Sequence, residues 1–95
     1  MSNSSYVKGR SREYGAMRRL REMGALDVSR SYGSHGMFDI RAVFPDHVRL
    51  IQVKGSYMTR REFTGLKKFS HQLTCNQIKV EIWRYRNRKL EIQVL

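Results

Sequence analysis

Glu13, Asp39, Gln52 and Lys54 are polar residues standing where the surrounding pattern calls for apolar ones. Glu13 shares a helical face with Met17 and Leu20, at i, i+4 and i+7, and a carboxylate on a core-facing stripe is costly unless a cation or donor meets it. Asp39 falls inside the alternating run Phe38–Phe44, where aspartate is disfavoured. Gln52 and Lys54 are two apart in the next alternating run, Val48–Lys54, so both point to one face. A carboxylate, a second oxygen ligand and a lysine on one sheet face are what phosphodiester hydrolysis requires. Hard Mg²⁺ prefers oxygen ligands and keeps several waters; it lowers the pKa of a bound water and offsets charge on a phosphate. A lysine can hold that phosphate or stabilise the pentacovalent transition state. Each residue also has a plainer reading. Glu13 can be a helix-edge residue paired with Arg10 or Arg12, and Asp39 and Lys54 can form an ordinary cross-strand ion pair. By itself the triple Asp…Gln-x-Lys is a weak signal, because such triples occur by chance.

The elements that must position these residues follow from periodicity. Residues 1–5 read as a flexible tail. From Tyr6 to Met23 the pattern is helical, and Gly24 supplies the stop. Ala25–Ser31 can extend as a strand with Leu26 and Val28 on one side, and Tyr32–Gly36 is a loop with two glycines. Phe38–Phe44 and Val48–Lys54 read as a hairpin around the Pro45-Asp46 turn. If that loop holds two residues, Phe44 pairs with His47 and Asp39 stands opposite Gln52, with Glu13 able to approach from the covering helix. Thr59-Arg60-Arg61-Glu62 fits a capping box opening a helix that carries Phe63, Leu66, Phe69 and Leu73 and ends near Cys75-Asn76. Two strands follow, Ile78/Val80/Ile82 and Leu90/Ile92/Val94, about a turn at Arg86-Asn87-Arg88. The predicted order is α-β-β-β-α-β-β in a single domain over residues 1–95, an α/β fold with a central mixed sheet flanked by helices.

Composition bounds the function. The 95 residues hold 19 Lys plus Arg against 8 Asp plus Glu, a net charge of +11, and are 40% apolar. That is too apolar for a disordered basic tail, and the excess cation points to a polyanion, with nucleic acid first. Basic residues scattered from Arg10 to Lys89 suit a broad face that contacts many phosphates without reading bases. A domain this small buries only about 60% of its unfolded surface, so dimerisation would help it. No apolar run approaches the roughly 20 residues of a membrane span, and the polar first residues do not form a secretory signal, so an intracellular protein is expected. The single cysteine, Cys75, excludes a disulfide framework and a zinc knuckle, and is read as a buried or idle thiol. His35, His47 and His71 lack zinc spacing, and no Walker-type loop is present. Trp83 and Tyr85, set among Arg84, Arg86 and Arg88, could stack on nucleic acid, or Trp83 could belong to the core or a dimer seam. Tyr57 to Leu73 and the last hairpin carry apolar residues that suit such a seam.

Taken in order, Lys8-Gly9-x-x-x-Glu13, Arg30-Ser31-x-Gly33-Ser34-x-Gly36-x-x-Asp39-Ile40 and Ile51-Gln52-Val53-Lys54 resemble the archaeal-type Holliday-junction resolvases called Hjc, members of the PD-(D/E)xK nuclease superfamily that also occur in phages. The likeness runs from about Lys8 to Ser56; beyond it, only the order of elements fits. It implies a restriction-endonuclease-like core and a homodimeric, Mg²⁺-dependent endodeoxyribonuclease, with Mn²⁺ a possible substitute. It also implies a role in DNA recombination and repair, with no small-molecule cofactor and no membrane partner. Such an enzyme recognises four-way DNA by shape and nicks opposing strands symmetrically, and a two-fold substrate calls for a two-fold dimer. A cytoplasmic location follows, that of the host if the chain is phage-encoded. By matching positions, the resemblance makes Glu13, Asp39 and Gln52 the metal-site residues and Lys54 the phosphate-facing lysine. Ser34 is placed near the scissile phosphate, and Lys8, Arg10, Arg30, Ser34, Arg60, Arg61, Lys67 and Lys68 on the DNA.

One position departs from the family pattern. Where the D/E-x-K pair has its acid, this chain has Gln52, whose carbonyl can ligate Mg²⁺ but carries no charge. Nucleases of the VRR-NUC kind tolerate glutamine there. Three functions therefore stand side by side: a junction resolvase, another PD-(D/E)xK nuclease of VRR-NUC or nicking type, and a silent nucleic-acid-binding module of the same fold.

Overall fold

The computed structural model describes residues 4–31, 37–55 and 57–95, with residues 4–9 as backbone only. Its elements are α1 (Ser4–Glu22), β1 (Asp27–Arg30), β2 (Ile40–Val43), β3 (Val48–Lys54), α2 (Arg60–Gln72), β4 (Ile78–Arg86) and β5 (Lys89–Val94). The order is the predicted one. All the strands join one five-stranded sheet in the order β1-β2-β3-β4-β5. Neighbours are antiparallel except β3 and β4, which run parallel with α2 as their crossover, because parallel strands need a long connection and a helix provides it.

Strand alternation assigns the two faces. Ile51 and Val53 of β3 and Trp83 of β4 share a buried cluster with Ala16, Met17 and Leu20 of α1, together with Val28, Ile40, Ala42 and Phe44. The other face of β4 carries Val80 and Ile82, and α2 packs on β4 and buries Leu66. β4 is therefore buried on both faces. Its Glu81, only 2% exposed, accepts a hydrogen bond from Trp83 Nε1 at 2.9 Å and lies 3.6 Å from an Arg49 guanidinium nitrogen. A buried carboxylate is tolerated when donors and a cation meet it in this way. Trp83 is thus a core residue, and the stacking reading of it falls away.

Local chemistry explains the boundaries. Gly24 has φ +110°; its N–H bonds to the Arg21 carbonyl and that of Ala25 to the Leu20 carbonyl, each at 3.1 Å, which is a Schellman close. Thr59 and Glu62 form the expected capping box. Asn87 and Arg88 both have positive φ, so the last turn is a two-residue hairpin loop of the primed kind rather than three residues.

Some expectations shift. Ser4 and Ser5, assigned to the flexible tail, already belong to α1, whereas residues 1–3 lie outside the described residues. β1 begins at Asp27, so Leu26 precedes the strand and is 71% exposed, while Val28 is buried. α2 stops at Gln72, because Leu73 leaves helical geometry as its C-cap. Cys75 is exposed rather than buried. No helix among the described residues is long and apolar enough to cross a membrane.

The core assignment makes a direct contrast. Leu20→Ala is expected to destabilise the fold by about 2–5 kcal/mol, and Leu26→Ala by less than about 0.5 kcal/mol. Urea unfolding of the two variants checks it; equal losses would contradict the packing of α1.

Candidate active site

The hairpin fixes the first part of the site. Phe44 N–H bonds to the His47 carbonyl at 2.7 Å, and the β2–β3 register pairs Val43 with Val48 and Ile40 with Ile51. Asp39 is therefore opposite Gln52, as the two-residue loop requires. Asp39 does not lie within β2 but immediately before it. There its carboxylate accepts the Val53 N–H at 2.8 Å, a role that suits aspartate at a strand end far better than in a strand. Its main chain still pairs on both sides, with Ile51 and Ser31.

Gln52 and Lys54 point to the face that α2 covers. The Lys54 ammonium is ion-paired with Glu62, not with Asp39; the plain cross-strand pairing is absent because the parallel crossover returns α2 over this end of β3. The Glu62 Oε1 is held by the Thr59 backbone N–H and hydroxyl at 3.5 and 3.0 Å. Hydrogen bonding to Lys54, first, and to Thr59 holds the Glu62 carboxyl below the usual glutamate range. Gln52 opens into a cleft of about 270 Å³ that Arg61, Glu62, Met37, Gly65 and Leu66 also line.

Glu13 comes from the other side. α1 packs on the opposite face of the sheet, over β1, β2 and β3. The Arg12 guanidinium lies over Gly55, where an added Cβ would come within 3.1 Å of it, so this part of α1 sits at the end of β3. Arg30 Nη1 donates to Glu13 Oε1 at 3.4 Å, so a cation remote in the chain, at the end of β1, meets Glu13. Arg30 also lies over the Tyr14 ring, 5.1 Å from its centroid. Burial, then the Asp39 charge, pushes the Glu13 carboxyl up, with Arg30 opposing. Burial also raises Asp39, against the Val53 hydrogen bond and Lys54.

The predicted residues thus fall into two linked groups. Glu13, Asp39 and Arg30 meet at the strand ends, and Gln52, Lys54, Glu62 and Arg61 lie together under α2. Asp39 joins the groups through the hairpin register and its electrostatic coupling to Lys54. Of the predicted DNA contacts, Arg10, Arg60, Arg61, Lys67 and Lys68 are exposed and Arg30 is half-buried. Ser34 and the Lys8 side chain lie outside the described residues. Glu62 was legible only as a helix cap; its second duty, holding Lys54, had no local signal.

The donor set can be tested against a divalent ion. No cluster of three or more His, Cys, Asp or Glu able to hold a metal occurs among the described residues; Glu13 and Asp39 are the two electrostatically coupled carboxylates, and Gln52, across the hairpin from Asp39, carries an uncharged amide oxygen. Two carboxylates whose pKa values are raised by burial, one of them also by the other, form a site that a cation relieves, and Mg²⁺ accepts one or two carboxylates with waters completing its shell. In chemistry, two such carboxylates are the donors that a hard divalent ion takes.

The raised carboxyls carry a stability signature. Because Asp39 and Glu13 hold their protons more tightly when folded, the stability they contribute is present at acid pH and lost as pH rises through their raised values. Asp39→Asn keeps an acceptor for Val53 and removes that loss. It is expected to melt as high as the unmodified chain or higher at pH 7 in metal-free buffer, with the difference gone below about pH 4. A lower melting temperature at pH 7 would contradict the placement of Asp39.

No protein-family model matches the chain, and no curated protein matches it. Among solved structures, the chain is similar to Hjc, a Holliday junction resolvase from the archaeal hyperthermophile Archaeoglobus fulgidus. The TM-score is 0.62 at 20% identity, over 87% of this chain and 71% of that one. The mixed five-stranded sheet between two helices is the fold of that nuclease.

Proposed function

We propose that this chain is a metal-dependent endodeoxyribonuclease that acts on four-way DNA junctions as a homodimer, nicking opposing strands symmetrically. The observation that carries the reading is the hairpin register that sets Asp39 opposite Gln52, with Lys54 two residues further along the same strand face, in a resolvase-like fold. A net charge of +11 supplies the attraction to DNA.

Glu13 and Asp39, with the Gln52 carbonyl, are the residues that would hold Mg²⁺ or Mn²⁺. Such an ion supplies a Lewis acid for the phosphate and lowers the pKa of water. Lys54 faces the phosphate, and Glu62, anchored by the capping box, keeps its ammonium in place until the phosphate competes for it. Arg30 steadies Glu13. Gln52 in place of an acid lowers the negative charge of the set by about one, which weakens metal binding without removing an oxygen ligand.

A labelled four-way junction and a matched linear duplex, each incubated with the full chain and Mg²⁺ or Mn²⁺, test the reading. Paired nicks on the junction alone are expected. Cuts in the linear duplex would indicate a nuclease of another specificity, and binding without cuts under either ion a silent binding module. Asp39→Asn should retain junction binding and lose cleavage by about 10²-fold or more. Gln52→Glu should keep or raise cleavage at low Mg²⁺; if it abolishes cleavage while the chain stays folded, Gln52 is not a ligand.

A further inference from the structure

Arg84 of β4 stands beside Lys54 in the parallel register and beside Glu91 in the antiparallel one. By strand alternation it shares the α2 face with Val80 and Ile82. Its Nε is buried with no hydrogen-bond partner among the described residues. Its Nη2 meets only the Met58 thioether, at 3.9 Å, and thioether sulfur is a weak acceptor. The carboxylates on this face are taken by other cations: Glu62 by Lys54 and Glu91 by Arg86, at 3.7 Å. A guanidinium whose buried Nε meets no oxygen among the described residues is expensive to keep there. An anion arriving from outside would remove that expense.

There is room for one. A cleft of about 410 Å³ is lined by Arg84, Arg60, Met58, Thr59, Phe63 and Gln93. Its positive character comes from the two arginines, since the capping box already occupies part of the α2 N-terminus. Side chains on neighbouring strands start about 4.8 Å apart, and long flexible ones such as lysine and arginine can splay from there to adjacent phosphates of one DNA strand. The planar fork of Arg84 suits two phosphate oxygens at once.

We propose that Arg84 and Arg60 form a second phosphate site, one strand over from Lys54, that takes the neighbouring phosphate of the same DNA strand. The inference rests on the reading of Lys54 as the phosphate-facing lysine. It assigns β4 a part in holding the strand in register, through a contact that carries no base sequence.

Binding of the full chain to a labelled four-way junction, in EDTA so that no strand is cut, tests it across roughly 50 to 200 mM salt. Arg84→Met keeps the aliphatic stem and removes the unmet donors. It should melt no lower than the unmodified chain, bind roughly 5- to 10-fold more weakly at the low-salt end, and lower the slope of log K against log salt by about 0.9, the share of one phosphate contact. Arg84→Lys should keep that slope and lose part of the affinity. Should Arg84→Met fail to fold, Arg60→Gln on the exposed first turn of α2 should show the same loss of slope. Unchanged affinity and slope in a folded Arg84→Met overturn the site. Loss of slope supports it even if the unmodified chain cuts no DNA, so the two readings fail separately.

Discussion

The hydrogen bond from the Val53 N–H to the Asp39 carboxylate holds the rest of the site in place. At the end of the β2–β3 ladder a side chain takes up a backbone donor, which must find an acceptor once it leaves water. This draws the carboxylate inward, where burial raises its pKa, and fixes it near Glu13 on α1. The same hairpin register sets Gln52 across from it and Lys54 one step along the face. Asp39 and Gln52 thereby take their places from backbone bonds, whereas Glu13 and Lys54 are held by side-chain pairing with Arg30 and Glu62.

The acids are largely engaged by the chain's own cations: Glu13, Glu62, Glu81 and Glu91 are each ion-paired within the chain, Glu81 in the core and Glu91 at the surface. The cationic excess is left largely on the outside, where Arg60, Arg61, Lys67 and Lys68 are exposed along α2. Such a surface attracts a polyanion over a distance comparable to the Debye length and then contacts its phosphates. The pairing of Lys54 with Glu62 fixes the direction of one cation on the α2 side of the sheet.

The likeness to a solved resolvase concerns the scaffold, and a scaffold of this kind hosts more than one chemistry. Local features are this chain's own: the Gln52 amide opens into the same cleft as the Glu62 carboxylate that α2 brings there, and that carboxylate is engaged with Lys54.

The sequence by itself determined the order of elements, the hairpin register and the α2 cap. Each of these depends on neighbours close in the chain: the Pro45-Asp46 loop length, the alternation of Val48–Lys54, and the Thr59/Glu62 spacing. It also marked Asp39, Gln52 and Lys54 as sharing a face, since period-two geometry needs no tertiary information. Partners remote in the chain were another matter. That Glu13 meets Arg30, that Lys54 meets Glu62, and that Arg84 stands beside Lys54 with its Nε unpartnered was decided only when the α2 crossover laid β4 parallel to β3 and α1 settled on the opposite face. Spacing along a chain specifies which way a side chain points, whereas which charge it meets depends on the packing of whole elements.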